Sequence, residues 1–218
     1  MDTEVLLPDC EFHKKPFYEC IKRIFDLVVS LVAVIVLSPI LLVIALAIRL
    51  EDRGPILYRA QRVGRSGKPI TVYKFRSMRM NADRLEDMLT PEELEEYKKN
   101  FKLEHDPRIT KVGAFLRKTS LDELPQLFNI LSGTLSLVGP RPVLQEETEL
   151  YGDKRNLLLS CKPGLTGLWQ VSGRSNVTYE NGRRQALELQ YVSQRSLWLD
   201  IKILFWTVGA VVRMDGAK

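Results

Sequence analysis

The 218-residue chain has only two histidines, His13 and His105, and three cysteines, Cys10, Cys20 and Cys161, odd in number and far apart. Residues so few and scattered exclude a disulfide framework, a paired Cys-x-x-Cys metal site, a histidine-based metal centre and a Ser-His-Asp triad. A reducing compartment fits this cysteine usage. Neither G-x-G-x-x-G nor G-x-x-x-x-G-K-[ST] occurs, which argues against a Rossmann or P-loop nucleotide site. Repeats and low-complexity linkers are also missing, so the length suits one domain, or one domain plus an anchor. Acid is missing locally too. From Arg59 to Arg79 there are seven cations (Arg59, Arg62, Arg65, Lys68, Lys74, Arg76 and Arg79) and no Asp or Glu.

Apolar residues make up 45% and charged residues 27%, which is globular usage and excludes a disordered or polytopic membrane chain. A net charge of +5 points to a polyanionic partner: nucleic acid, anionic lipid or a phosphorylated small molecule. One segment departs sharply from the average. Between Asp26 and Arg49 every residue is uncharged, from Leu27 to Ile48. As a helix this run reaches about 33 Å, the thickness of a hydrocarbon core, so it reads as a membrane segment. It is too long and too far from the N-terminus for a cleavable signal peptide.

Two features argue against a simple span. Pro39 lacks an N–H and should break or kink the helix, with Ser38 bonding a freed carbonyl. Cations flank both ends: Lys14, Lys15, Lys22 and Arg23 before the run, Arg49, Arg53, Arg59, Arg62 and Arg65 after it. Positive charge marks the cytoplasmic side, and one span cannot put both ends there. The sequence therefore predicts a re-entrant helix-break-helix with its break at Ser38-Pro39.

Ile56–Val63 and Pro69–Phe75 read as a β-hairpin around Arg65-Ser66-Gly67-Lys68. Its charge can protect an edge strand or form a phosphate-binding face. Thr90-Pro91-Glu92-Glu93 predicts a capping box with proline at N1, followed by Leu94, Tyr97 and Phe101 at helical spacing. Helices are expected at Thr110–Lys118, at Leu121–Leu131 with Leu124, Leu127, Phe128 and Leu131 on one face, at Pro142–Tyr151, Lys154–Cys161 and Tyr179–Gln194, and at Leu197–Arg213. A short strand is expected at Thr134–Val138. The last helix, with two tryptophans and few charges, suits either the core or a lipid interface.

Asp122-Glu123 precedes Pro125, which places the pair near a helix N-terminus and fits a Ser120/Glu123 capping box. Beside Arg117, Lys118 and the hairpin cations, such a pair can instead act as a nucleophile or hold Mg²⁺ while arginines neutralise a diphosphate. Arg141, between Pro140 and Pro142, is a candidate phosphate ligand.

Several strings then resemble the bacterial sugar transferase family, the monotopic polyprenol-phosphate phosphoglycosyl transferases. They are Lys74-Phe75-Arg76-Ser77-Met78, Asp106 through Gly113, Leu116 through Gln126, Ser136 through Pro142, Lys162 through Arg174, and Trp198-Leu199-Asp200-Ile201-Lys202. The resemblance, to the minimal catalytic form, implies a helix-rich α+β fold. Residues 1–50 would carry the re-entrant membrane hairpin. Residues 51–218 would form a cytoplasmic catalytic domain with a small β-hairpin and interfacial helices, on the bacterial inner membrane. It also implies transfer of a sugar-1-phosphate from a UDP-sugar to polyprenyl phosphate, with release of UMP. By the same resemblance, Asp122 is the nucleophile and Mg²⁺ ligand, Glu123 assists, and Lys74, Arg117 and Arg141 bind phosphates. Exopolysaccharide, O-antigen or glycoprotein assembly are the pathways it suggests; nucleic acid is not a partner, and a homo-oligomer is compatible. The acidic stretch Asp83–Glu104 matches no family string. The alternatives from other classes are a membrane-tethered basic module for nucleic acid or anionic lipid, and a scaffold without turnover.

Overall fold

The computed structural model describes residues 15–82, 84–100, 103, 106–173, 179 and 182–213. Cys10, His13, Lys14, Phe101, His105 and Arg174 lie outside them. Helix α1 (Pro16–Asp52) runs for 37 residues, about 55 Å at 1.5 Å per residue. Pro39 cannot donate to the carbonyl of Ile35; the Ser38 hydroxyl donates to it at 2.8 Å instead. With that acceptor satisfied, the expected helix-break-helix becomes one helix with a proline inside it.

Strands β1 (Leu57–Val63) and β2 (Pro69–Phe75) pair antiparallel, from Leu57 opposite Phe75 to Val63 opposite Pro69. Ser66 and Gly67, both at positive φ, turn the chain between them. Then come α2 (Leu85–Met88) and α3 (Pro91–Asn100). The predicted capping box forms reciprocally: the Thr90 N–H donates to Glu93 Oε2 at 2.9 Å, and the Glu93 N–H to Thr90 Oγ1 at 3.2 Å. Helix α4 (Lys111–Thr119) is capped by Thr110, whose hydroxyl accepts from the Gly113 N–H at 2.9 Å.

The helix expected over Leu121–Leu131 is divided into a 3₁₀ turn, Leu121–Glu123, and α5 (Gln126–Ser132). Ser120 ends α4 in the left-handed region at φ 58°, and its side chain does not cap the 3₁₀ turn, so the Ser120/Glu123 capping box is not made. The face predicted for this segment also shifts. Leu127 and Ile130 are buried but Phe128 points outward. After β3 (Ser136–Val138), a 3₁₀ segment (Glu146–Lys154) and α6 (Arg155–Leu158) replace the two helices expected there. Strand β4 (Gly164–Thr166) pairs parallel with β3, and α7 (Leu168–Val171), α8 (Arg183–Gln194) and α9 (Leu197–Arg213) complete a helix-rich α+β domain.

The main core gathers Leu127, Ile130, Leu135, Val138, Leu189 and Ile203 from α5, the strand pair, α8 and α9. A second cluster joins Ile44 and Ile48 of α1 to Phe75 of β2 and Leu116 of α4. Polar contacts fix α1 at both ends. Near its start, Lys22 Nζ lies 2.7 Å from Asp200 of α9, Arg23 donates to the carbonyls of Ile130 and Leu131 at the end of α5, and Asp26 accepts from the Leu137 N–H. At its far end, Glu51 accepts the Lys111 N–H at 2.8 Å at the start of α4, where a carboxylate complements the helix dipole, and Asp52 pairs with Arg76. The opposite face of α1 is exposed and apolar, with Ile35, Val36, Leu42 and Val43 among it. Helix α9 divides likewise: Asp200 and Ile203 are buried, while Trp198, Phe205 and Trp206 are exposed. It is therefore both a core helix and an apolar surface.

Asn129 of α5 holds the free edge of β2. Its carboxamide accepts the Tyr73 N–H at 2.9 Å and donates to the Thr71 carbonyl at 2.7 Å, in place of a third strand. Asn129→Ala leaves both backbone groups without that partner and should lower stability by about 2–4 kcal/mol, read from unfolding in detergent.

Candidate active site

Two elements meet at the site. Lys74 stands near the end of β2, and Asp122 and Glu123 stand in the 3₁₀ turn between α4 and α5. Asn129 ties α5 to β2, which sets the turn opposite the lysine. Lys74 Nζ is 2.7 Å from Glu123 Oε1 and 4.0 Å from Asp122 Oδ2. The Asp122 side chain is only 14% exposed. Burial pushes its carboxyl above the usual carboxylate range; Lys74 and Arg117 pull it back, while the charge of Glu123 adds to the rise. This is a desolvated carboxylate with cations at hand, the condition for a strong oxygen nucleophile.

Arg117, in the last turn of α4, donates from Nε to Ser77 Oγ at 2.9 Å and acts electrostatically on Asp122. Gly113 makes this placement possible. A Cβ there would stand 2.0 Å from the Ser77 carbonyl oxygen, so α4 can lie against the chain leaving β2 only with glycine at the crossing. Gly113→Ala should cost about 1–3 kcal/mol and break the Arg117–Ser77 hydrogen bond, visible as a lower melting temperature together with reduced turnover.

Lys74, Arg117, Asp122 and Glu123 are thus brought together as expected. Arg141 has other partners. Its guanidinium lies 5.6 Å from the ring centroid of Trp169, and its charge acts on Arg62 and Glu188. Among the described residues it makes no ion pair or hydrogen bond with the carboxylate pair. Ser38 and Pro39 sit mid-way along exposed α1. Sequence reasoning missed Ser77, Gly113 and Asn129 as supports of the site; the Gly113 and Ser77 contact joins separate segments and has no local signal.

The run of cations from Arg59 to Arg79 is unopposed only along the sequence. In space, Arg65 pairs with Glu19, Arg76 with Asp52, and Lys74 with Glu123. The acids come from α1 and from the 3₁₀ turn, and they match three of the seven cations.

Comparison with known proteins gives the family. The bacterial sugar transferase model matches residues 17–214. The chain is 50% identical over 200 residues to the undecaprenyl-phosphate galactose phosphotransferase of Salmonella typhimurium, covering 90% of this chain and 41% of that protein. It is 43% identical over 206 residues to the exopolysaccharide production protein ExoY of Rhizobium meliloti, covering 93% and 90%. With the UDP-glucose:undecaprenyl-phosphate glucose-1-phosphate transferase of Escherichia coli it shares 40% identity over 195 residues, 86% of this chain and 39% of that one. The chain therefore spans about two fifths of the length of the Salmonella and Escherichia relatives and nine tenths of ExoY. A match that runs from the first turns of α1 to the end of α9 makes this chain a member of the bacterial sugar transferase family.

Proposed function

We propose that the protein transfers a sugar-1-phosphate from a UDP-sugar to polyprenyl phosphate in two displacements at Asp122. In the first, Asp122 Oδ attacks the β-phosphorus, the bridging P–O bond breaks and UMP leaves with that electron pair. In the second, an oxygen of polyprenyl phosphate attacks the same phosphorus, giving polyprenyl diphosphate sugar and restoring the carboxylate. The observation that carries this reading is the largely desolvated Asp122 carboxyl with Lys74 Nζ 4.0 Å away and the charge of Arg117 acting on it. Lys74 and Arg117 would hold the diphosphate and offset the charge that develops on the leaving oxygen. Glu123 anchors Lys74 and assists.

Mg²⁺ suits this donor set. The described residues hold no cluster of three acidic, histidine or cysteine side chains able to cage a metal. Mg²⁺ is commonly held by one or two carboxylates with substrate phosphates and water, and Asp122 beside a bound diphosphate supplies that combination. Bound there, it would neutralise phosphate charge.

The same proposal puts the site at the cytoplasmic face of the inner membrane, with the single helix α1 bent at Pro39 so that both of its ends return to that face. A helix that crossed the bilayer would carry its ends about 30 Å apart on opposite sides. Support for a return comes from contacts of the same domain at both ends: Lys22 with Asp200, and Glu51 and Asp52 with α4 and Arg76. Cations flank both ends as well, and the exposed faces of α1 and α9 supply the apolar surface. The second product, a lipid-linked sugar, would enter exopolysaccharide assembly, the role named for ExoY. In inside-out vesicles, an impermeant thiol reagent should reach Cys10 and a cysteine placed at Asp215 from the same, outer side; labelling from opposite sides would refute re-entry. For the activity itself, a panel of UDP-sugars is offered with and without polyprenyl phosphate, and lipid-dependent multiple-turnover UMP release is the expected result.

A further inference from the structure

A cavity of about 100 Å³ lies at the start of α1, and none of the candidate active-site residues lines it. Five cations do: Lys22, Arg23, Arg65, Lys162 and Arg195. Only two carboxylates, Glu19 and Asp26, face them. Some of these charges are matched inside the fold, Lys22 by Asp200 at 2.7 Å and Arg65 by Glu19 at 2.8 Å. Two are not matched by an anion in contact. Arg23 donates only to the neutral carbonyls of Ile130 and Leu131, and Lys162 has no hydrogen bond or ion pair among the described residues. Both converge on Gly133: a Cβ there would lie 3.2 Å from Arg23 Nη2 and 3.6 Å from Lys162 Nζ.

We propose that this cavity is an anion site, separate from the Asp122 centre, that takes a phosphate group between Arg23 and Lys162. A guanidinium and an ammonium that share one wall suit a tetrahedral anion with several acceptor oxygens. Burial and the neighbouring Arg23 hold the Lys162 ammonium below its usual pKa, while Asp26 and Glu19 act on it the other way without touching it. The wall formed by Tyr18 to Asp26 ends where the apolar run begins at Leu27. On the membrane reading, the cavity therefore sits at headgroup level. The phosphate can come from a phospholipid headgroup or from a soluble phosphate, and the two sources share this chemistry.

The test is acylation of Lys162 in the wild-type protein, read by peptide mass spectrometry against exposed Lys68 of the hairpin turn. Turnover is not the readout, so the outcome is independent of the transferase reading. In detergent, millimolar inorganic phosphate replaces chloride at constant ionic strength; in a second arm, phosphatidylglycerol vesicles are compared with phosphatidylcholine vesicles. A fall in Lys162 reactivity of about threefold or more, relative to Lys68, is expected in at least one arm. Protection by free phosphate identifies a soluble phosphate group as the occupant; protection by phosphatidylglycerol alone identifies a lipid headgroup. Equal reactivity under all of these conditions overturns the site.

Discussion

Asp122→Asn lowers UMP release from the preferred UDP-sugar by at least about 10³-fold, because the amide cannot attack phosphorus. The same substitution leaves the protein folded. A carboxyl whose folded-state pKa is raised binds its proton more tightly on folding, so its contribution to stability is greatest below the unfolded pKa and is lost as pH rises through the folded one. At neutral pH the wild type therefore carries a buried charge that the fold disfavours, and the neutral isostere removes it. The expected pair of results is a melting temperature at or above that of the wild type, with turnover gone. Lost turnover with a lowered melting temperature would point instead to a structural role for Asp122. Full turnover in the variant would favour a binding module or scaffold.

Lys74→Met gives the second large effect, a fall in turnover of about 10²–10³-fold, since the cation nearest both carboxylates and the proposed diphosphate is removed. It also changes the pH profile in a defined direction. On the proposed mechanism the reactive form of Asp122 is the anion, so activity is expected to fall as pH drops through its raised pKa. Lys74 is the largest influence opposing that rise, and without it the acid limb of kcat/KM moves to higher pH. Lys74→Arg keeps the charge and should keep the limb near its original position. A limb that stays fixed in Lys74→Met would show that the ammonium does not act on Asp122.

Much of this was legible where the signal is local. The hairpin follows from β-branched runs around a Ser-Gly turn, α3 from its capping box, and α9 from an apolar stretch that ends at Arg213. The failures share a cause, contacts between distant segments. Ser120 reads as a helix start, but the chain needs it at positive φ to end α4 and swing the carboxylates toward β2. Asn129 reads as a polar interruption on a helix and proves to be the partner of a strand edge. The β3–β4 pair joins two short segments across an intervening helical region, which no periodicity can reveal. At Ser38-Pro39 the sequence predicted the hydroxyl-to-carbonyl bond correctly and a separation into two helices incorrectly; that bond, at 2.8 Å, satisfies the acceptor left by proline. Of the candidate site, the four residues near one another in space were readable from the Asp-Glu pair and its basic surroundings. Arg141 was chosen for its two flanking prolines and its match to a family position; its guanidinium stands beside Trp169.

The central claim is a covalent bond between Asp122 and a phosphosugar. Its most direct test omits the lipid acceptor: purified protein is mixed with the preferred UDP-sugar, UMP is counted, and the protein is weighed by intact and peptide mass spectrometry. The account predicts UMP release limited to about one equivalent per active site, with a phosphosugar adduct on the peptide that contains Asp122 and none in Asp122→Asn. No UMP and no adduct until polyprenyl phosphate is added would mean direct transfer between the two substrates, and would contradict it.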